Sequence, residues 1–323
     1  MLFRSAQELI QTRCDRGARI ARQLRFPESV ALGIHSLDEH WDGGGRPEGL
    51  GGEAIPLNAR IALLSQVIDV FHFSHGQAAA MREIRQRAGH WFDPQLVAAF
   101  EAVAQDGGFW ETLRDPQIAQ AVQVLEPARF TRPLDEAYMD DIASAFGQVV
   151  DAKSPFTAGH SERVGFYAEM IAQELSLPKA QAHWIKRVGL LHDVGKLGVS
   201  SAILEKPGKL THDEFGAVKE HARLTEEILA KIAQFDDLSK VAGAHHERLD
   251  GNGYPRRLSA PDIRIETRIV TVADIFDAIS AARPYHGANS PERTLEIMHN
   301  MVDNAIDRRC YDAIKSVIHR EIG

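Results

Sequence analysis

Apolar residues recur at helical spacing through most of the chain, and runs that alternate apolar with polar residues are few. This periodicity constrains the fold more than any other feature. A helix buries a stripe repeating every three to four residues, whereas a half-buried strand buries every second one. Residues 5–25, 56–73 and 76–88 read as helices, as does the stretch opening at Trp91-Phe92-Asp93-Pro94. Further on, residues 136–151, 160–175, 178–192, 240–246 and 264–281 do too, with a helix through His221 and Leu229 that Thr211 or Asp213 can cap. Pro27, Pro155 and Pro178 fall at the breaks, because proline lacks the helical donor and clashes with the preceding turn. The expected fold class is all-α.

A chain of 323 residues has room for about two domains. Its 44% hydrophobic and 25% charged residues are those of a globular protein with ample core. The net charge of -8 argues against a nucleic-acid polymer or an anionic membrane as partner, while a local cationic pocket still admits a phosphate substrate. Only Cys14 and Cys310 are present, which implies no disulfide framework and fits a reducing compartment. No apolar run is long enough to span a membrane. Arg4, Arg13, Asp15, Arg16 and Arg19 interrupt the N-terminal stretch, so a signal peptide is not expected there and the chain reads as cytoplasmic.

An internal repeat links two parts of the chain. Sliding residues 42–61 onto 250–269 without a gap matches eight of twenty positions, against about one expected from ordinary residue usage. The shared positions are Asp42/Asp250, Gly43/Gly251, Gly45/Gly253, Pro47/Pro255, Leu50/Leu258, Ile55/Ile263, Arg60/Arg268 and Ile61/Ile269. Residues 1–105 are therefore expected to form a diverged, partial copy of a domain over 138–323. Residues 106–137, punctuated by Gly107-Gly108, Pro116, Pro127 and Pro133, are expected to connect them. In the same alignment Arg13 stands opposite His221, Leu37 and Asp38 opposite His245 and His246, and Gln66 opposite Asp274. The first copy is expected to be non-catalytic.

The metal-capable residues of the second series are His160, His192, Asp193, His221, His245, His246 and Asp274. Each lies in an expected helix or at its end, among apolar neighbours that would face a bundle core, which is how bundles assemble metal sites. Imidazole nitrogens suit first-row divalent ions, and carboxylates add charge and bridging capacity. Two such metals would activate water and clamp phosphoryl oxygens. Gly195 allows a close backbone approach beside the His192-Asp193 pair, and Lys196 can meet an anion there.

Residues 138–323 resemble the HD-GYP subgroup of the HD phosphohydrolase superfamily. The similarity rests on five ordered motifs: residues 151–164 around Gly159-His160-Ser161, His192-Asp193-Val194-Gly195-Lys196, His221, His245-His246 running into Gly253-Tyr254-Pro255, and Ala273-Asp274 through Asp277 followed by Arg283-Pro284-Tyr285. The resemblance implies an HD-type helical bundle that hydrolyses cyclic di-GMP to linear pGpG, GMP or both. It implies His192, Asp193, His221, His245, His246 and Asp274 as metal ligands, with Asp193 bridging and His160 joining in some members. Iron or manganese stand first among the first-row metals. The trinuclear subgroup carries Glu where this chain has Phe156, so a binuclear centre is expected. Lys196 and Arg283 match phosphate-side cations. Gly253, Tyr254 and Pro255 match the loop that shapes the pocket and contacts diguanylate cyclase (GGDEF) partners. A metal-bridging hydroxide would attack phosphorus, with Asp193 and Lys196 as the catalytic side chains. Two readings compete: the same hydrolase acting on another cyclic nucleotide, and a signalling adaptor that binds a cyclic dinucleotide or a cyclase with little turnover. A homodimer is compatible with each.

Overall fold

The computed structural model describes residues 6–125, 134–153, 159–281 and 288–322, arranged as two compact units, Met1–Asp135 and Glu136–Gly323. Among the described residues there is no named strand, only isolated β-bridges such as Asp42 with Gly51 and Asp250 with Ser259. The fold is all-α, and no described helix is long and apolar enough to cross a membrane.

In the first unit the α-helices are α1 (Ala6–Gln23), α2 (Glu28–His35), α3 (Leu57–His75), α4 (Gln77–Gln86), α5 (Pro94–Val103), α6 (Gly107–Thr112) and α7 (Ile118–Val124). In the second they are α8 (Glu136–Ala152), α9 (His160–Glu174), α10 (Lys179–Leu191), α11 (Ser201–Leu204), α12 (His212–Leu229), α13 (Asp236–Ala242), α14 (Ile265–Ser280), α15 (Pro291–His299) and α16 (Arg308–Ile322). Thr211 starts α12 with a capping box: its hydroxyl accepts from Glu214 N while the Glu214 carboxylate accepts from Thr211 N.

The second unit's core joins Val164, Ala168 and Ile171 of α9 to Ile185, Val188 and Leu191 of α10 and to Ile269, Val272 and Phe276 of α14, all buried. Helices α9 and α10 meet glycine on glycine. A β-carbon on Gly189 would stand 2.7 Å from the Gly165 Cα, so any side chain there forces the helices apart. That close seat brings the start of α9, with His160, against the end of α10, with His192; the two rings lie 5.2 Å apart.

The first unit has its own core of Leu63, Leu64, Ile68, Ile84, Phe92, Val97 and Trp110. Its first five helices follow the same order along the chain as α12–α16, and α3 begins 208 residues before α14, the offset of the sequence repeat. Local contacts recur as well. Buried Glu39 accepts from the backbone N of Glu48 and Gly49, and buried Glu247 accepts from Arg256 and Leu258. Arg60 pairs with Asp93 at 2.7 Å, and Arg268 pairs with Asp307 at 2.7 Å. Gly45 and Gly253 sit in equivalent seats, where a β-carbon would fall 2.2 Å from His40 N and 2.5 Å from Arg248 N respectively. The expected connecting segment 106–137 differs from the structure in one respect. Helix α6 belongs to the first unit's core, because Trp110 is buried against Phe100 and donates its indole N–H to Ala104 O at 2.9 Å.

Candidate metal centre

His192 ends α10 and Asp193 begins the 3₁₀ turn Val194–Gly198. Gly195 lies so close to α12 that a β-carbon would fall 1.9 Å from His221 O. The approach Gly195 permits is therefore of backbone to helix. Thr225 completes the joint: its hydroxyl accepts from Gly195 N at 2.9 Å and donates to His192 O at 3.0 Å. One buried threonine on α12 thus holds both sides of the His192-Asp193 pair.

Three histidines are oriented by one device. Nδ1 of His192 lies 2.7 Å from Gly189 O, Nδ1 of His221 lies 2.5 Å from Val218 O, and Nδ1 of His245 lies 2.6 Å from Ala242 O. A carbonyl only accepts, so each Nδ1 carries the proton and each Nε2 is the atom turned inward. In every case the carbonyl belongs to the residue three positions upstream. The helix expected over 240–246 stops at Ala242, because Ala244 and His245 donate to carbonyls three rather than four residues back. Thr271 donates to His245 O at 2.7 Å and fixes that turn against α14.

The inward atoms converge on carboxylates. His221 Nε2 is 3.4 Å and His245 Nε2 is 3.9 Å from Asp193 Oδ1, while His192 Nε2 is 3.3 Å from Asp193 Oδ2. His160 Nε2 stands 3.5 Å from Asp193 and 3.4 Å from Asp274. Potential ligand atoms of His221, His245 and His246 lie within 4.8 Å of one another, as do those of His160, His192 and Asp274 and those of His192, Asp193 and His245. All seven histidines and aspartates singled out in the sequence meet here.

Whether a divalent metal fits is decided by atoms with no other partner. His192 Nε2 and Asp193 Oδ1 are fully buried and make no hydrogen bond among the described residues. Leaving such groups unpaired costs about 1–3 kcal/mol each. A cation that accepts both lone pairs removes that cost, and the mixed imidazole–carboxylate set suits a first-row divalent ion.

Electrostatics separate the ligands. Burial pushes His245 well below the ordinary histidine range, with help from His246 and His192, and brings His246 down to about 4. Burial also lowers His221. These rings are neutral donors at pH 7. Burial opposes charge on Asp193, yet Lys196 and His192 overcome it and hold the carboxyl well below its usual range. Asp274 is likewise lowered against its burial by His160 and His192. Burial opposes charge on His160 too, but Asp193, Asp274 and Asp277 raise it well above the ordinary value.

Several residues inside these motifs, to which the sequence assigned no role, matter here. Asp277 takes His160 Nδ1 at 2.7 Å and also binds Arg163 Nε at 2.5 Å, so a carboxylate outside the ligand set orients the ring. Its signal was its place one turn after Asp274 on α14. Asp151, at the end of α8, accepts from the Ser161 hydroxyl at 2.8 Å and anchors the start of α9. Glu247 bonds the loop backbone at 2.6 Å to Arg256 N and 2.8 Å to Leu258 N, holding the Gly253-Tyr254-Pro255 turn beside the site. The Tyr254 ring tilts over His246 with centroids 4.7 Å apart. Lys196 Nζ bonds Asp193 Oδ2 at 2.5 Å. Arg283 and Phe156, on which the second phosphate contact and the binuclear expectation rest, lie outside the described residues.

A family model described as HD domain matches residues 2–96 and 145–310, more than half of the chain. The chain belongs to the HD domain family. The His245-His246 run and the Gly253-Tyr254-Pro255 loop place it in the HD-GYP branch. It is 54% identical over 314 residues to a 3′3′-cGAMP-specific phosphodiesterase 3 of Vibrio cholerae, spanning 97% of this HD domain chain and 68% of that protein. It is 36% identical over 175 residues to the cyclic di-GMP phosphodiesterase response regulator RpfG of Xanthomonas campestris, covering 53% of this chain and 46% of the regulator. Among solved structures, the crystal structure of a cyclic GMP-AMP specific phosphodiesterase of V. cholerae, V-cGAP3, aligns with a TM-score of 0.65 at 51% identity, over 97% of this chain and 73% of that one. The chain spans about two thirds of the first relative's length and under half of the second's.

Proposed function

We propose that this HD domain protein is a metal-dependent phosphodiesterase that opens cyclic dinucleotides, with 3′3′-cGAMP as its substrate ahead of cyclic di-GMP. One observation carries the reaction class: three histidine Nε2 atoms and a buried carboxylate point at one place, with His192 Nε2 and Asp193 Oδ1 left unpartnered. Similarity carries the order of substrates. The 3′3′-cGAMP-specific relative is 54% identical across 97% of the chain, whereas the cyclic di-GMP phosphodiesterase RpfG is 36% identical across 53%.

Two divalent ions held by His192, Asp193, His221, His245, His246 and Asp274, with His160 beside them, would supply Lewis acidity toward the phosphoryl oxygens and acidify water. The chain's own residues do the rest. Lys196 shares Asp193 and can turn its ammonium to a non-bridging phosphate oxygen, trading one charge-assisted hydrogen bond for another. Asp277, itself held by Arg163, keeps the His160 ring fixed while substrate enters. Tyr254 over His246 excludes water from that wall of the site.

The first unit serves in this reading as a shortened, non-catalytic copy. Its support is the recurrence of the glutamate latch, the glycine seat and the arginine–aspartate pair in the same order. Incubating the full chain, loaded with manganese or iron, with each dinucleotide and following products by chromatography tests the assignment. Faster consumption of 3′3′-cGAMP is expected. Faster loss of cyclic di-GMP reverses the order, and tight binding without turnover under either metal leaves an adaptor. A metal content averaging three ions per chain overturns the binuclear centre.

A further inference from the structure

From the buried ligands outward, the second unit presents an ordered row of rings and one cation. The Tyr254 ring is tilted over His246 with centroids 4.7 Å apart, and Lys219 Nζ lies 5.4 Å from its centroid. The same ammonium is 4.7 Å from the centroid of Phe215, one helical turn earlier on α12. Phe215 is 46% exposed, an unusual position for a large aromatic beside a polar site. Its backbone N donates to Thr211 O at 2.9 Å in the first turn of a helix closed by a capping box, so the ring is displayed from a rigid support. Lys219 has no carboxylate within ion-pair distance among the described residues, and the two aromatic faces hold it in place. The row therefore offers a half-exposed aromatic ring, a cation that can leave its π-contacts for a substrate acceptor, and continuity through Tyr254 with the candidate ligand His246.

We propose that Phe215 and Lys219 form a purine-binding rim, in which a substrate base stacks on Phe215 and a guanine presents its O6 and N7 to Lys219. The inference rests on the cyclic dinucleotide reading above. Every base has a π-face, so the stacking partner serves any purine. The cation discriminates: guanine shows two adjacent acceptors on that edge, whereas adenine replaces one with an amino donor that faces the ammonium unfavourably. The rim thus favours dinucleotides that carry at least one guanine.

Steady-state kinetics of the full chain on 3′3′-cGAMP, cyclic di-GMP and cyclic di-AMP test this, using Phe215→Ala, Phe215→Trp and Lys219→Met. Phe215→Ala is expected to raise KM about tenfold on all three while kcat changes by less than about twofold, and Phe215→Trp to restore KM. Lys219→Met is expected to raise KM for the guanine-bearing substrates more than for cyclic di-AMP, compressing the preference between them. Far-UV circular dichroism checks the fold, and Lys219→Met, which removes little packed surface, carries the test if Phe215→Ala loses helicity. Variants that hydrolyse the substrates with wild-type KM and an unchanged guanine preference overturn the rim alone. A wild-type chain that hydrolyses none of the three overturns the proposed function and the rim with it.

Discussion

The two units use the same local framework around opposite electrostatics. In the second, His221 turns its Nε2 toward Asp193 at 3.4 Å, and His246 offers a potential ligand atom within 4.8 Å of those of His221 and His245. In the first, the aligned positions hold Arg13 and Asp38, whose side chains form an ion pair with each other. The guanidinium offsets the carboxylate's charge and brings no lone pair of its own, so the pair is a poor seat for a cation. Gln66, opposite Asp274, is exposed, and Leu37, opposite His245, offers no ligand. The latch differs in the same sense: Glu247 uses both oxygens on the loop backbone, whereas Glu39 uses one and leaves Oε2 buried without a partner among the described residues. The framework recurs without the histidine and aspartate cluster, because the residues that hold the loop are not the candidate metal ligands.

The sharpest way to break this comparison is to remove ligands from each unit in turn. His192→Ala or Asp193→Ala should lower hydrolysis by roughly a thousandfold or more with the helical signal kept. Arg13→Ala should leave both metal content and rate near wild type, as measured by elemental analysis and product chromatography. Retained activity in the first pair would remove the centre from the second unit. Next in size is Gly195→Ala, whose β-carbon collides with His221 O. A loss of about 3 kcal/mol in denaturant unfolding is expected, with activity falling alongside. Glu247→Gln keeps the volume but weakens both latch bonds, and about 1–3 kcal/mol should be lost. Glu39→Gln should cost less, since only one oxygen is engaged; equal losses would mean the latches are equivalent after all.

A pH titration of metal-free protein gives a smaller effect. His246 falls from an ordinary value near 6.5 to about 4 through burial, so the unfolded chain binds the proton more readily between those values. Stability should therefore decline as pH drops from about 6.5 toward 4, by up to about 3 kcal/mol from this residue. His246→Gln should flatten that decline in thermal melts. His160 and His192, which are raised, contribute with the opposite sign: their stabilisation is present below the ordinary value and is lost as pH rises through their folded values. The smallest expected effect is none: Arg13→His should not create metal uptake in the first unit, because Leu37 and Gln66 remain.

Much of this was legible in the sequence because helical periodicity and proline breaks are local signals. The helices at 136–152, 160–174, 179–191 and 265–280 start and stop within two residues of where the pattern places them. The ligand types were legible because metals demand particular donor atoms. What sets their orientation was less visible. The Thr225 joint spans 30 residues and the Asp277 bond to His160 spans 117, and neither separation leaves a periodic trace. Trp110 was hidden in a Gly- and Pro-punctuated stretch that resembles a linker, since composition reports on turns and not on the single indole a core can accept between them. Glu39 and Glu247 lie three positions before the matched repeat window, and extending it upstream would have found them.

The carbonyl three residues upstream of His192, His221 and His245 has a further consequence. The bond that sets each ring's tautomer closes within four consecutive residues, and Thr225 and Thr271 brace only the backbone of the His192 and His245 turns. Such a part is modular. It can be struck out one histidine at a time without forcing the bundle to rearrange, and a lineage that duplicates the domain can abandon the reaction in one copy through a series of foldable intermediates.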